Sequence, residues 1–266
     1  MSRRYNSVLS IAGSDSGGCA GIQADIKSIS ANGAYAATVI TATTAQNTQG
    51  VSDIHPIPVP HIQKQLEAVL SDIEFGAVKI GMLHSSEVID AVKEMLELYG
   101  IENIILDPVM VATSGDMLIT DAAIVSLKKF ISKVYLVTPN IPEAEILLGQ
   151  EISLENMKDA ALKISDLYNV SVLLKGGHLE QNDTLVDVLC LKESKKIIEI
   201  KNKMIATKNT HGTGCSLSSS IAAFISLGFN LEEATLKSCH YIHNAIASGK
   251  DKILGKGNGP INHFLN

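Results

Sequence analysis

Along this chain the hydrophobic pattern switches repeatedly between a period of two and a period near 3.6, and few architectures accommodate that alternation. Ser7 to Ala12 is a short apolar run ending at Gly13. From Gly21 to Asn32 the apolar positions Ile22, Ile26 and Ile29 recur at helical spacing, and Gly33 closes the element. Ala36 to Ala45 reads as a buried strand, His61 to Leu70 as a helix, Ala77 to Gly81 as a strand and Glu87 to Tyr99 as a helix. Asn103 to Asp107 and Val134 to Thr138 read as strands, each followed by a proline that stops the ladder. Helices over Pro142 to Leu148 and Asn156 to Tyr168 precede a strand at Ser171 to Lys175. Such alternation predicts parallel strands joined by crossover helices. The stretch 184–204 departs from it: Leu185 to Leu191 and Lys196 to Lys201 flank a polar turn, as in an antiparallel hairpin. Two long helices, Thr213 to Ser226 and Leu231 to Ser248, follow. No linker composition or internal repeat divides the sequence, which predicts one α/β domain over 1–266 with a mostly parallel sheet between helical layers.

The net charge of −6 is spread without long runs, so no basic stripe exists to neutralise phosphates in series. A dedicated nucleic-acid or anionic-membrane surface is therefore not expected. The four cysteines, Cys19, Cys190, Cys215 and Cys239, form no CxxC pair, which argues against a disulfide framework or zinc cluster and for a reducing compartment. With no signal-peptide pattern and no apolar run of membrane-spanning length, the expected location is cytoplasmic.

In open parallel sheets ligands bind at the carboxyl ends of strands. Polar residues gather at those ends here: Gly13-Ser14-Asp15, Gln46-Asn47, Lys79 to Met82, Asp107, Asn140 to Glu143 and Lys175-Gly176-Gly177. The most informative segment is Asn209-Thr210-His211-Gly212-Thr213-Gly214-Cys215 at the start of a helix. Unpartnered N–H groups and the helix dipole make such a turn an anion site, and they favour the thiolate of a cysteine placed there. A plain glycine turn beside a buried cysteine is the competing reading, and spacing alone does not separate the two. A P-loop pattern, a strict G-x-G-x-x-G and the protein-kinase signatures are all absent.

The segments AGSD (12–15) and AGIQADIK (20–27), TATTAQNTQG (41–50), KIGML (79–83), LDPVM (106–110), TPNIPEA (138–144), KGGH (175–178), KNTHGTGC (208–215) and GKGNGP (255–260) resemble, in order, bacterial hydroxymethylpyrimidine/phosphomethylpyrimidine kinases. The resemblance implies a three-layer ribokinase-like fold and use of ATP and Mg²⁺. It implies phosphorylation of 4-amino-5-hydroxymethyl-2-methylpyrimidine and then of its monophosphate, for thiamine synthesis, by a homodimer. Gly212, Thr213 and Gly214 would be the anion hole, and Cys215 would take the place of the aspartate base of other ribokinase relatives. Asn140, Lys175 and Thr210 would contact ATP, with Glu143 and Asp107 serving the metal; helix capping is the competing reading for Asn140 and Glu143, solvent exposure for Lys175. Gly13, Asp25, Gln46, Met82 and Val109 would receive the pyrimidine. His211 would serve loop geometry rather than proton transfer. Cys19 stands where relatives often have glycine, a costly exchange if the backbone there is left-handed. Pyridoxal kinase activity is the nearest alternative. A non-catalytic pyrimidine-binding protein and an NAD-dependent oxidoreductase fit the motifs less well.

Overall fold

The computed structural model describes residues 4–110, 119–177 and 183–265. The first half runs β1 (Ser7–Asp15), α1 (Gly21–Ala31), β2 (Tyr35–Asn47), β3 (Gly50–Pro56), α2 (Val59–Leu70), β4 (Ala77–Ile80), α3 (Ser86–Leu98) and β5 (Ile104–Leu106). Then come α4 (Asp121–Ile131), β6 (Leu136–Val137), α5 (Ile141–Leu148), α6 (Met157–Tyr168) and β7 (Ser171–Leu174). The chain continues through β8 (Thr184–Cys190), β9 (Ile197–Lys203), α7 (Thr213–Ser226) and α8 (Leu231–Gly249).

All nine described strands join one sheet in the order β3-β2-β1-β4-β5-β6-β7-β8-β9. The run from β2 to β7 is parallel, whereas β3, β8 and β9 are antiparallel to their neighbours. Alternate residues of each central strand feed two separate cores. Leu9, Ile11, Val78, Ile80, Ile104 and Leu106 pack under helices α2 to α6. Val8, Ala77, Ile105, Leu136 and Leu173 pack under α7 and α8 on the other face, with α1 beside them. This three-layer arrangement follows from strands apolar on both sides, which only helices on both faces can cover. No described helix is long and apolar enough to cross a membrane.

Two elements go beyond the sequence reading. β3 is exposed along its whole length and exists through antiparallel hairpin pairing with the end of β2, across the two-residue connection Thr48-Gln49, which its polar sequence does not announce. α4 carries local signals that the reading left unused: a Thr120 cap, Asp121 in the first turn, and Lys128 and Lys129 in the last. The expected hairpin at 184–204 is present as β8 and β9. His178 of the KGGH segment lies outside the described residues.

Strand order reverses around β1, where the chain turns outward to β2 and later returns to β4. The carboxyl ends of β1, β4, β5, β6 and β7 open on one rim beside that reversal, and the first turn of α7 reaches the same rim.

Candidate active site

The first turn of α7 is built by glycine. Gly212, its N-cap, has a left-handed φ of +81°, and a β-carbon there would lie 1.8 Å from the carbonyl oxygen of Cys19. No other residue meets both demands. Gly212→Ala is therefore expected to cost more than the ~1–2 kcal/mol of the left-handed conformation alone, and urea unfolding of the variant checks it. Thr213 anchors the turn by donating from its hydroxyl to the Thr210 carbonyl at 2.6 Å. Upstream, the Asn209 amide donates to the carbonyls of Gly249 (2.8 Å) and Lys252 (2.6 Å). Gly259 passes so close to Asn209 that a β-carbon would meet its Oδ1 at 2.3 Å, and Gly257 packs equally closely on the Thr48 carbonyl. The GKGNGP segment thus braces two loops at once, the one after β2 and the one before α7.

Gly214 faces Lys175 and Asp107: a β-carbon there would lie 3.4 Å from Lys175 Nζ and 3.6 Å from Asp107 Oδ2. Lys175 donates to Asp107 Oδ1 at 2.7 Å, and the Thr138 hydroxyl reaches the same oxygen at 3.1 Å. Burial acts to lower the Lys175 ammonium, but Asp107 and Glu143 outweigh it and hold the lysine charged. Lys175 is therefore part of a partly buried ion pair rather than a fully solvated side chain.

Asn140 and Glu143 form a full capping box on α5: the Glu143 N–H donates to Asn140 Oδ1 and the Asn140 N–H to Glu143 Oε2, both at 2.9 Å. The capping reading of these two residues is thus realised. It does not use up Glu143. Burial pushes its carboxyl up to about 7; Lys175 opposes the rise and the Asp107 charge adds to it.

Cys215 occupies the other side of the turn. It is partly exposed, and the Gly21 N–H lies near enough to favour its thiolate. The expectation of a readily ionised thiol does not survive the geometry. Burial pushes the thiol up, Asp25 and Asp107 push the same way, and Lys79 and the Gly21 N–H only moderate the rise. Gly21 in turn presses on Gly13, whose carbonyl oxygen a Gly21 β-carbon would meet at 2.3 Å. Beyond Gly13 stands Met82, 3.3 Å from where a Gly13 β-carbon would be. Lys175, Gly214, Cys215, Gly21, Gly13 and Met82 therefore form one continuous row.

Gln46 lies beside this row. Its Oε1 accepts from the Thr44 hydroxyl at 3.1 Å and its Nε2 contacts His211 Nε2 at 3.1 Å. Burial lowers the His211 imidazole, with Asp15 opposing. Val109 is partly exposed at the end of β5, and Thr210 is exposed before the anion turn.

Asp25 is the correction. The sequence reading assigns it to the pyrimidine, but its side chain is fully buried and already saturated. It accepts from Lys79 Nζ (2.8 and 2.9 Å), from the Ser10 hydroxyl (2.6 Å) and from the Ser219 hydroxyl (2.7 Å). With about four acceptor positions on a carboxylate, none is left for a ligand. That Lys79, Ser10 and Ser219 would saturate Asp25 escaped sequence reasoning. The available signals were a lysine inside the apolar strand Ala77-Val78-Lys79-Ile80 and a serine run on a helix that the structure buries. Cys19 also resolves simply: Gly18, at φ +76°, makes the left-handed turn, and Cys19 is not among the positive-φ residues.

A mostly parallel sheet between helical layers, with a glycine turn at a helix start beside a lysine and two buried carboxylates, is a ribokinase-like architecture. The model of the family described as phosphomethylpyrimidine kinase matches residues 15–262, and the chain belongs to that family. It is 47% identical to the thiamine biosynthesis bifunctional protein ThiED of Geobacter sulfurreducens over 97% of this chain, but spans only 52% of that protein. The chain therefore spans about half the length of such bifunctional relatives. It is 39% identical to the hydroxymethylpyrimidine/phosphomethylpyrimidine kinase of Bacillus subtilis, covering 96% of this chain and 94% of that one. Among solved structures, phosphomethylpyrimidine kinase from Clostridium difficile superposes with a TM-score of 0.79 at 43% identity, covering 90% of this chain and 99% of that one. Pyridoxal kinase from Staphylococcus aureus, in complex with AMP-PCP and pyridoxal, gives 0.87 at 29% identity over 99% and 95% of the two chains.

Proposed function

We propose that this chain phosphorylates 4-amino-5-hydroxymethyl-2-methylpyrimidine and then its monophosphate at the expense of ATP. The observation that carries the reading is the position of Cys215, between a phosphate end at Gly214 and Lys175 and an acceptor end at Gly21, Gly13 and Met82. The N–H groups of 212–215 would receive the transferred phosphoryl group, whose charge is spread over three oxygens. Lys175, held charged by Asp107, would neutralise the polyphosphate, with Asn140 and Thr210 at its margin. Cys215 would accept the proton of the substrate hydroxyl. Gly13 lets a flat ring lie on backbone, Met82 and Val109 give it apolar contact, and the Gln46 amide supplies both a donor and an acceptor for ring substituents.

Asp107 and Glu143 suit a magnesium ion. Burial raises the Glu143 carboxyl and the Asp107 charge adds to the rise; a divalent cation would offset both, and oxygen donors are what magnesium takes. When bound there, Mg²⁺ would offset charge on the phosphate oxygens. A raised folded-state pKa makes Glu143 favour folding below the ordinary glutamate range, an advantage lost as pH rises through about 7. Without metal, the stability of the wild type should therefore fall relative to Glu143→Gln between about pH 5 and pH 8. Mg²⁺ should restore it mainly at the upper end. Melting curves of both proteins with and without Mg²⁺ measure this, and a metal effect independent of pH would remove Glu143 from the site.

The decisive assay follows ADP release with hydroxymethylpyrimidine, its monophosphate and pyridoxal in parallel. Turnover of both pyrimidines is expected; a strong preference for pyridoxal in kcat/KM would replace the substrate assignment. Homodimer assembly and a cytoplasmic location belong to the same reading, and light scattering tests the assembly.

A further inference from the structure

Apart from the groups used above for catalysis, Asp15, Cys19 and His211 each offer a metal-ligating atom, and these atoms lie within 4.8 Å of one another. The three come from separate places: the end of β1, the turn before α1 and the residue before Gly212. Their meeting is fixed rather than incidental, because Gly212 packs directly on the Cys19 carbonyl. The Asp15 carboxylate is held by the N–H groups of Gly17, Cys19 and Ala20, each at 2.8 Å. Two of those bonds fall on Oδ2 and one on Oδ1, so the acceptor position left for a ligand is on Oδ1. His211 Nε2 stands 3.9 Å from Asp15 Oδ2, too far for a hydrogen bond. A nitrogen and an oxygen on one tetrahedral zinc ion lie ~3.3 Å apart, so the two side chains would close by roughly half an ångström on binding.

We propose that Asp15, Cys19 and His211 form a binding site for a borderline-soft divalent cation such as zinc or cobalt(II), with the fourth coordination position open. A sulfur and an imidazole beside one carboxylate select against magnesium and calcium, which take oxygen donors. The site is thus chemically distinct from the Asp107–Glu143 pair. Binding exchanges the Cys19 S–H bond for a metal–sulfur bond and releases that proton to solvent, with no change of oxidation state. The cation takes His211 Nε2, the atom that now contacts Gln46 Nε2 at 3.1 Å. An occupied site and the Gln46–His211 contact therefore exclude each other.

Cobalt(II) titration of the full chain, without thiol reductants and under nitrogen, tests the site. The expected result is one equivalent bound, visible bands of tetrahedral cobalt and a near-ultraviolet thiolate charge-transfer band, in the wild type and in Cys215→Ala alike. Cys19→Gly and Cys19→Ser, with folds checked by circular dichroism, should lose the charge-transfer band, and they and His211→Ala should bind at least ~10-fold more weakly. A band that persists without Cys19, or vanishes only without Cys215, puts the metal on another thiol and overturns the proposal. Failure of the wild type to bind micromolar cobalt overturns it as well.

Discussion

Cys215→Ala is expected to fold normally and to lose ~10²–10⁴-fold in kcat, the range for a positioned general base. The environment of the thiol makes a second, sharper expectation. A base must be unprotonated to act, and burial, Asp25 and Asp107 all hold this thiol protonated above the ordinary thiol range. Wild-type kcat should therefore keep rising with pH beyond about 8.5, the free-cysteine value. Cys215→Asp places a carboxylate at the same point, already ionised at neutral pH, so its profile should lose that alkaline rise while recovering part of the alanine defect. pH profiles of kcat for the three proteins decide the matter. A flat wild-type profile together with near-normal turnover by Cys215→Ala would exclude the residue from proton transfer.

Lys79→Ala should be the most destabilising single change in this set, by ~3–5 kcal/mol, because it strands the Asp25 charge in the interior with only Ser10 and Ser219 as partners. For a chain of this size that corresponds to a fall in Tm on the order of 10 °C. Replacing both partners by apolar residues of similar volume, Asp25→Leu with Lys79→Met, should recover much of the loss, since neither charge is then left alone. Urea midpoints of the single and double variants measure the coupling. An unchanged midpoint in Lys79→Ala would mean that the pair contributes nothing. Lys79 also holds the Cys215 thiol down, so any residual activity of Lys79→Ala should need a still higher pH.

These two residues show where sequence reading reached and where it stopped. The anion turn, Cys215, Lys175 and the Asn140–Glu143 element stood out because glycines, a proline and polar residues at strand ends obey local rules. The alternation of periods carried the three layers for the same reason: a strand apolar on both faces must be covered twice. Asp25 misled because its identity says only that a carboxylate is present. Its partners lie 15, 54 and 194 residues away along the chain, at Ser10, Lys79 and Ser219. β3 escaped for a different reason: it pairs locally with the end of β2, but its exposed polar residues carry no apolar alternation to mark it as a strand.

The sequence by itself determined the layered α/β architecture, the glycine turn that can host an anion, and the inventory of chemical groups at the strand ends. The tertiary structure decided which of those groups face one another. It buried Asp25 against Lys79, set Cys215 where burial, with Asp25 and Asp107, raises its thiol, and brought Cys19 to His211 through the bare backbone of Gly212. Backbone preference and hydrophobic period act within a few residues and can be read in order. Desolvation and charge act through space, between groups that only the completed fold makes neighbours.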